Sequence, residues 1–191
     1  MIKIGNNISD FSSYSCQPKT KDELKEIIKR RISEQGNNCD LNDIDTSLIT
    51  DMAWLFHNME FNGDISKWDV SNVKYMDYML LKSGFNGDIS NWDVSKMRRM
   101  DSMFYKSKFN NDISNWKVSN VNNMCMMFYG SKFNKDISNW NVSNVKNMCL
   151  MFRNSNFNQD ISNWKIDKTC DVGEMFKFCP IKEEYKPKLL R

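Results

Sequence analysis

Apolar residues recur along this chain in a frame that repeats every 24 positions. In one copy the frame begins with Ile65, Trp68 and Val70, whose spacing ends in the alternation expected of a short strand. It continues with Val73, Met76, Met79 and Leu80, at intervals of three and four, which predicts one face of a helix. Ser71 stands just ahead of that stretch, as Ser95, Ser119 and Ser143 do in later copies, where a serine can cap free helix amides. Phe61 and its counterparts fall in a return loop, beside the turn formers Asn62 and Asp64. One copy therefore predicts strand, cap, helix and loop.

The copies keep strict register. Trp68, Trp92, Trp116, Trp140 and Trp164 form one column, and Asp64, Asp88, Asp112, Asp136 and Asp160 another, with no insertion across residues 61–180. A degenerate copy at 37–60 precedes them: Asp40 and Leu41 match Asp-Ile, Ile44 replaces Trp, and Ile49, Met52, Leu55 and Phe56 keep the frame. A single unit of this size cannot bury enough apolar surface to offset its own ordering, so neighbours must complete each other's interior. The expected architecture is α/β: a right-handed solenoid of 24-residue strand–helix repeats, leucine-rich-repeat-like, with an N-terminal capping helix. That helix is placed at residues 20–35, where Thr20 and Glu23 make a capping box, Leu24, Ile27, Ile28 and Ile32 an apolar stripe, and Gly36 a stop. The chain divides into residues 1–36 (N-terminal segment and capping helix), 37–60 (degenerate repeat), 61–180 (five repeats) and 181–191, a tail past Pro180 expected to lie over the last copy.

Charge and cysteines narrow the classes. A formal net charge of +3 on 191 residues, with both signs mixed, argues against a dedicated nucleic-acid surface. The opening MIKIGNNISDFSSYS lacks the apolar run of a signal peptide and no later run is long enough to span a membrane, so, taken as a native start, it predicts a cytoplasmic protein. Six cysteines without a CxxC pair, and His57 as the single histidine, do not make a zinc site. In that compartment reduced, partly buried thiols are expected, including Cys125 and Cys149, which stand where Asp77 and Asp101 stand in earlier copies.

The copies beginning FNGDISKWDVSNV, FNGDISNWDVSKM, FNNDISNWKVSNV, FNKDISNWNVSNV and FNQDISNWKIDKT, with the lead-in PKTKDELKEIIKRRI, resemble the BspA-like leucine-rich-repeat family, the module of mycoplasmal lipoprotein-type proteins of unknown function. The resemblance covers residues 18–180 and implies a solenoid used for protein binding, often on bacterial surfaces. Surface-displayed members carry a signal peptide and an anchor, and from its sequence this chain is expected to depart from them in both.

No recurrent column carries recognisable chemistry. Calcium-binding repeats flank their aspartates with glycines, whereas here the preceding residues are Gly63, Gly87, Asn111, Lys135 and Gln159. Asp-column carboxylates are expected to accept hydrogen bonds within their own turns. The tryptophans share their position with Ile44 and are expected in the core, as are the methionines. No nucleophile elbow or phosphate loop occurs, so no enzyme, cofactor or metal is expected. What varies between copies is the candidate recognition surface. On the strand it comprises Lys67, Asp69, Asn91, Asp93, Asn115, Lys117, Asn139 and Asn141, a strip running from acidic toward basic. Early in the helix it comprises Tyr75, Tyr78, Arg98 and Arg99. These positions are either a surface for a protein partner or solvated positions free to drift. The readings that follow are a non-enzymatic module binding a partner protein, as an intracellular effector or inhibitor; a surface or secreted adhesin; and a weak nucleic-acid binder acting through Arg98 and Arg99.

Overall fold

The structure is a computed structural model that describes residues 14–190. The leader reading rests largely on residues 1–13, outside the described residues, as does Arg191. Helix α1 spans Lys21–Gln35. Thr20 Oγ1 accepts the Glu23 amide at 3.2 Å while Glu23 reaches back to the Lys19 amide at 2.7 Å. Gly36, at φ 86°, ends the helix by donating its N–H to the Ile32 carbonyl. Leu24 and Ile28 are fully buried, and Lys21–Asp51 and Arg31–Asp43 ion pairs tie the helix to the degenerate copy.

The expected strand–helix solenoid is not what the chain forms. Among the described residues α1 is the only α-helix, no strand or sheet is present, and residues 36–180 run as consecutive turns. The apolar stretch Val73–Leu80 shows why. Its spacing imitates a helix, but Tyr78 (φ 59°) and Lys82 (φ 49°) are left-handed, a conformation no right-handed helix tolerates. Tight turns replace helical bonds: Met79, Leu81 and Ser83 donate to the carbonyls three residues back. Meanwhile Met76, Tyr78, Leu80 and Lys82 donate to Arg99, Asp101, Met103 and Tyr105 of the following copy, at 3.2, 3.0, 3.0 and 2.7 Å. Ser71 therefore caps no helix; its amide closes a turn on Asp69. The expected strand over residues 65–70 is absent too: parallel pairing is confined to isolated bridges, and the series Asp51↔Tyr75↔Arg99↔Asn123↔Asn147↔Asp171 falls in the stretch expected as helix.

Contacts between copies nevertheless recur at a 24-residue separation. Phe61, Phe85, Phe109, Phe133 and Phe157 lie parallel with ring centres 6.2–6.3 Å apart, and Trp92, Trp116, Trp140 and Trp164 at 6.4–6.5 Å. Each column is buried in one continuous apolar core together with the methionines of the frame. Every repeat tryptophan also donates Nε1–H to a carbonyl 27 residues earlier, from Trp68 on Leu41 to Trp164 on Ile137. Asn62, Asn86, Asn110 and Asn134 each accept, through the side chain, the amide 24 residues on.

The tail lies over one side of the last copy. Ile181 is buried, Lys182 N–H donates to Asn158 Oδ1 at 3.1 Å, and the Tyr185 carbonyl accepts Ile161 N–H at 3.0 Å.

Candidate functional site

The variable strip is held by turn chemistry. Asp64, Asp88, Asp112, Asp136 and Asp160 each accept the amide two residues on, at 2.8–2.9 Å, and so fix the start of the strip in every copy. Asp69, Asp93 and Asn141 repeat the device five residues later, on Ser71, Ser95 and Ser143. Hydrogen bonds from Ser95 hold the Asp93 carboxyl below the usual carboxylate range, with Lys117 adding to the effect. Between the two turns, the tryptophan goes inward and its neighbours outward. Lys67, Asp69, Asn91, Asp93, Asn115, Lys117, Asn139 and Asn141 are all exposed.

From Asn91 onward these side chains border a row of shallow depressions, each shared by adjacent copies, that continues into a fourth between the last copy and the tail. The first lies between Ser90–Ser95 and Asn115 with Lys117, the second between Ser114–Ser119 and Asn139 with Asn141. The third joins Ser138–Ser143 to Asn163 and Lys165, and the fourth is closed by Lys188 and Leu189 of the tail over Trp164. Their volumes are 320, 380, 500 and 340 Å³ in that order. Amides and hydroxyls line them, with Asp93 in the first and lysines in all four, and the apolar part is the repeat tryptophan with the valine or isoleucine two residues on. Lys67 and Asp69 lie at the acidic end, outside these four.

The second candidate set is split. Tyr75 and Arg99 are bridge residues of successive copies, not the start of a helix, and Tyr78 is left-handed. Tyr78 lies face to face with the exposed Trp54, ring centres 4.0 Å apart. Arg99 is engaged: Nε donates to Asp77 Oδ1 at 3.3 Å and Nη2 to Asp101 Oδ1 at 2.8 Å. Both carboxylates are buried, and Asn123 also donates to Asp101. Burial, followed by the hydrogen bond and charge of Asp101, pushes the Asp77 carboxyl up to about 7 against the opposing pull of Arg99. Arg98 is exposed and makes no ion pair among the described residues.

Sequence reasoning missed this cluster, although one signal was present: Asp77, Asp101, Cys125 and Cys149 share one position in four successive copies. The same register corrects the expectation of reduced thiols at two of them. Cys125 and Cys149 form a disulfide, their Cα atoms 4.8 Å apart, because adjacent copies set like positions side by side. Cys16, Cys39, Cys170 and Cys179 are free.

No curated protein and no solved structure matches the chain. One family does, described as "Mycoplasma protein of unknown function, DUF285", over residues 23–131 and 107–182. Those two spans run from α1 through the last repeat, taking in the disulfide, the Asp77–Arg99–Asp101 cluster and the whole bordered strip. The chain belongs to this family of mycoplasma proteins of unknown function, DUF285.

Proposed function

We propose that the protein is a non-enzymatic interaction module that holds a partner protein along the variable strip, in the manner of an effector or inhibitor that occupies its partner's surface. One observation carries this reading. Asn91, Asp93, Asn115, Lys117, Asn139 and Asn141 border consecutive depressions shared by neighbouring copies, so a segment laid across them meets the same polar environment at each step. Charge runs from Asp69 and Asp93 to Lys117 and Lys165, which would fix the direction in which such a segment lies. Kinship of the motif with BspA-like leucine-rich-repeat proteins belongs to this reading, since that likeness implies repeats used to bind proteins.

Affinity recovery with the wild type, a Lys117→Glu/Lys165→Glu variant and an Arg98→Glu variant tests it. All three positions are exposed, so unchanged melting profiles are expected. The strip variant is expected to lose a protein that the wild type and Arg98→Glu both retain. Equal recovery by all three chains would remove the strip from the proposal.

A further inference from the structure

In each copy the arc equivalent to residues 52–58 has a one-way backbone. Met52, Trp54, Phe56 and Asn58 donate their amides to the carbonyls of Tyr75, Asp77, Met79 and Leu81, at 2.9, 3.1, 2.9 and 2.9 Å. The last instance runs from Met148, Leu150, Phe152 and Asn154 to Asp171, Gly173, Met175 and Lys177, at 2.7, 2.8, 2.9 and 3.0 Å. The cause is conformational: every second donor is left-handed, as at Trp54 and Asn58, Leu150 and Asn154, and Glu174 and Phe178. That alternation turns alternate amides to the same side, as in an anion-binding nest.

At the final copy the donors run out of acceptors. The amides of Val172, Glu174, Phe176 and Phe178 meet no hydrogen-bond partner among the described residues. The tail covers the other side of this copy, over Ile161 and Trp164. Phe176 ends a column of parallel rings begun by Phe104, Phe128 and Phe152, at 5.5, 5.6 and 5.7 Å, and is itself half-buried. Phe178 is 72% exposed, with Arg153 and Lys177 over its ring.

We infer that this open edge is a docking surface for an arc of the same kind supplied by another polypeptide. The occupant presents four carbonyls at every second residue and a Met-Phe pair that extends the methionine and phenylalanine columns by one step. Continuity with the copy-to-copy interface is the ground for this assignment, since that interface recurs with the same chemistry in every preceding copy. Two copies of this chain cannot join symmetrically through the edge, because both would present donors. At the opposite end the equivalent carbonyls, of Asp51, Ala53, Leu55 and His57, accept no backbone hydrogen bond among the described residues, but α1 is anchored beside them through the Lys21–Asp51 ion pair and flanks a head-to-tail approach.

The test uses the 191-residue chain and a synthetic peptide with the sequence of residues 97–108, MRRMDSMFYKSK, whose segment supplies the acceptors for the copy before it. Amide exchange is followed residue by residue. Saturating peptide is expected to slow exchange at Val172, Glu174, Phe176 and Phe178 at least tenfold, in a saturable manner, while a scrambled peptide does not. Three results would each overturn the inference: no slowing, equal slowing by the scrambled peptide, or amides already slow in the free chain because sedimentation shows a self-associated species. The readout is on the wild type, so it does not depend on any variant folding.

Discussion

Asp77 and Asp101, 24 residues apart, lie buried with the guanidinium of Arg99 hydrogen-bonded to both. One cation cannot fully compensate two carboxylates, and the pair resolves this by keeping a proton on Asp77. The unfolded carboxyl titrates near 3.8 and the folded one near 7, so the folded chain binds the proton more tightly. Stability from this group is therefore complete below about pH 4 and is lost as pH rises through about 7. The depressed carboxyls, among them Asp43, Asp64 and Asp93, work in the opposite sense and in a lower range. Denaturant unfolding at pH 4.5 and pH 8 is expected to show wild type weakened at the higher pH by about 2 kcal/mol relative to Asp77→Asn. Parallel pH profiles for the two chains would refute the shared proton.

The disulfide closes a loop of one full repeat, and a cross-link of that span is worth about 3 kcal/mol through the unfolded state. Cys125→Ser/Cys149→Ser is expected to unfold at correspondingly lower denaturant concentration. Reductant should bring wild type to the same midpoint while leaving the double variant unmoved. A midpoint insensitive to reductant would show that the bridge does not form in solution.

Left-handed residues make a prediction of opposite sign to the helical one. Lys82 is exposed at φ 49°. In a helix, Lys82→Gly would cost about 1 kcal/mol. Here it should be neutral or stabilising by up to about 1 kcal/mol, while the β-branched Lys82→Val costs more than about 1 kcal/mol. Thermal melts of the two variants against wild type decide it.

Trp116 fills the core and also donates Nε1–H to Ile89 at 3.0 Å. Trp116→Phe keeps much of the ring but removes the donor that holds one copy on the previous one. The expected cost is about 2 kcal/mol. Asp112→Ala removes only a surface turn bond to Ser114 and should cost about 1 kcal/mol or less. Denaturant midpoints that rank the two in reverse order would place the tryptophan column outside the core.

Much of the interior was legible in the sequence. Ile65, Trp68, Val70, Val73, Met76, Met79 and Leu80 are all buried, as the frame requires, and α1 starts on its capping box. What misled was the meaning of the spacing after Val73. Intervals of three and four fit a helix, and they fit equally well a run of tight turns with left-handed residues between them, because both return to the same side every three or four residues. No residue type marks the first left-handed site of each copy, occupied by Trp54, Tyr78, Ser102, Met126, Leu150 and Glu174, whereas the second carries Asn58, Gly130 and Asn154 beside Lys82, Lys106 and Phe178, a weak signal that the apolar spacing masked. The strip residues were exposed where alternation placed them. That Asp69, Asp93 and Asn141 also close turns was hidden, since the same side chain serves either role. The Asp77–Arg99–Asp101 cluster depends on two copies lying side by side, which no single copy displays.

The unbroken 24-residue register bears also on heredity. Because like positions meet like, an unequal exchange between two copies of the coding sequence joins a Trp to its neighbour's Trp and leaves every junction chemically familiar. Length can thus be gained or lost in whole copies, and a lineage can lengthen or shorten the bordered strip without reinventing its ends.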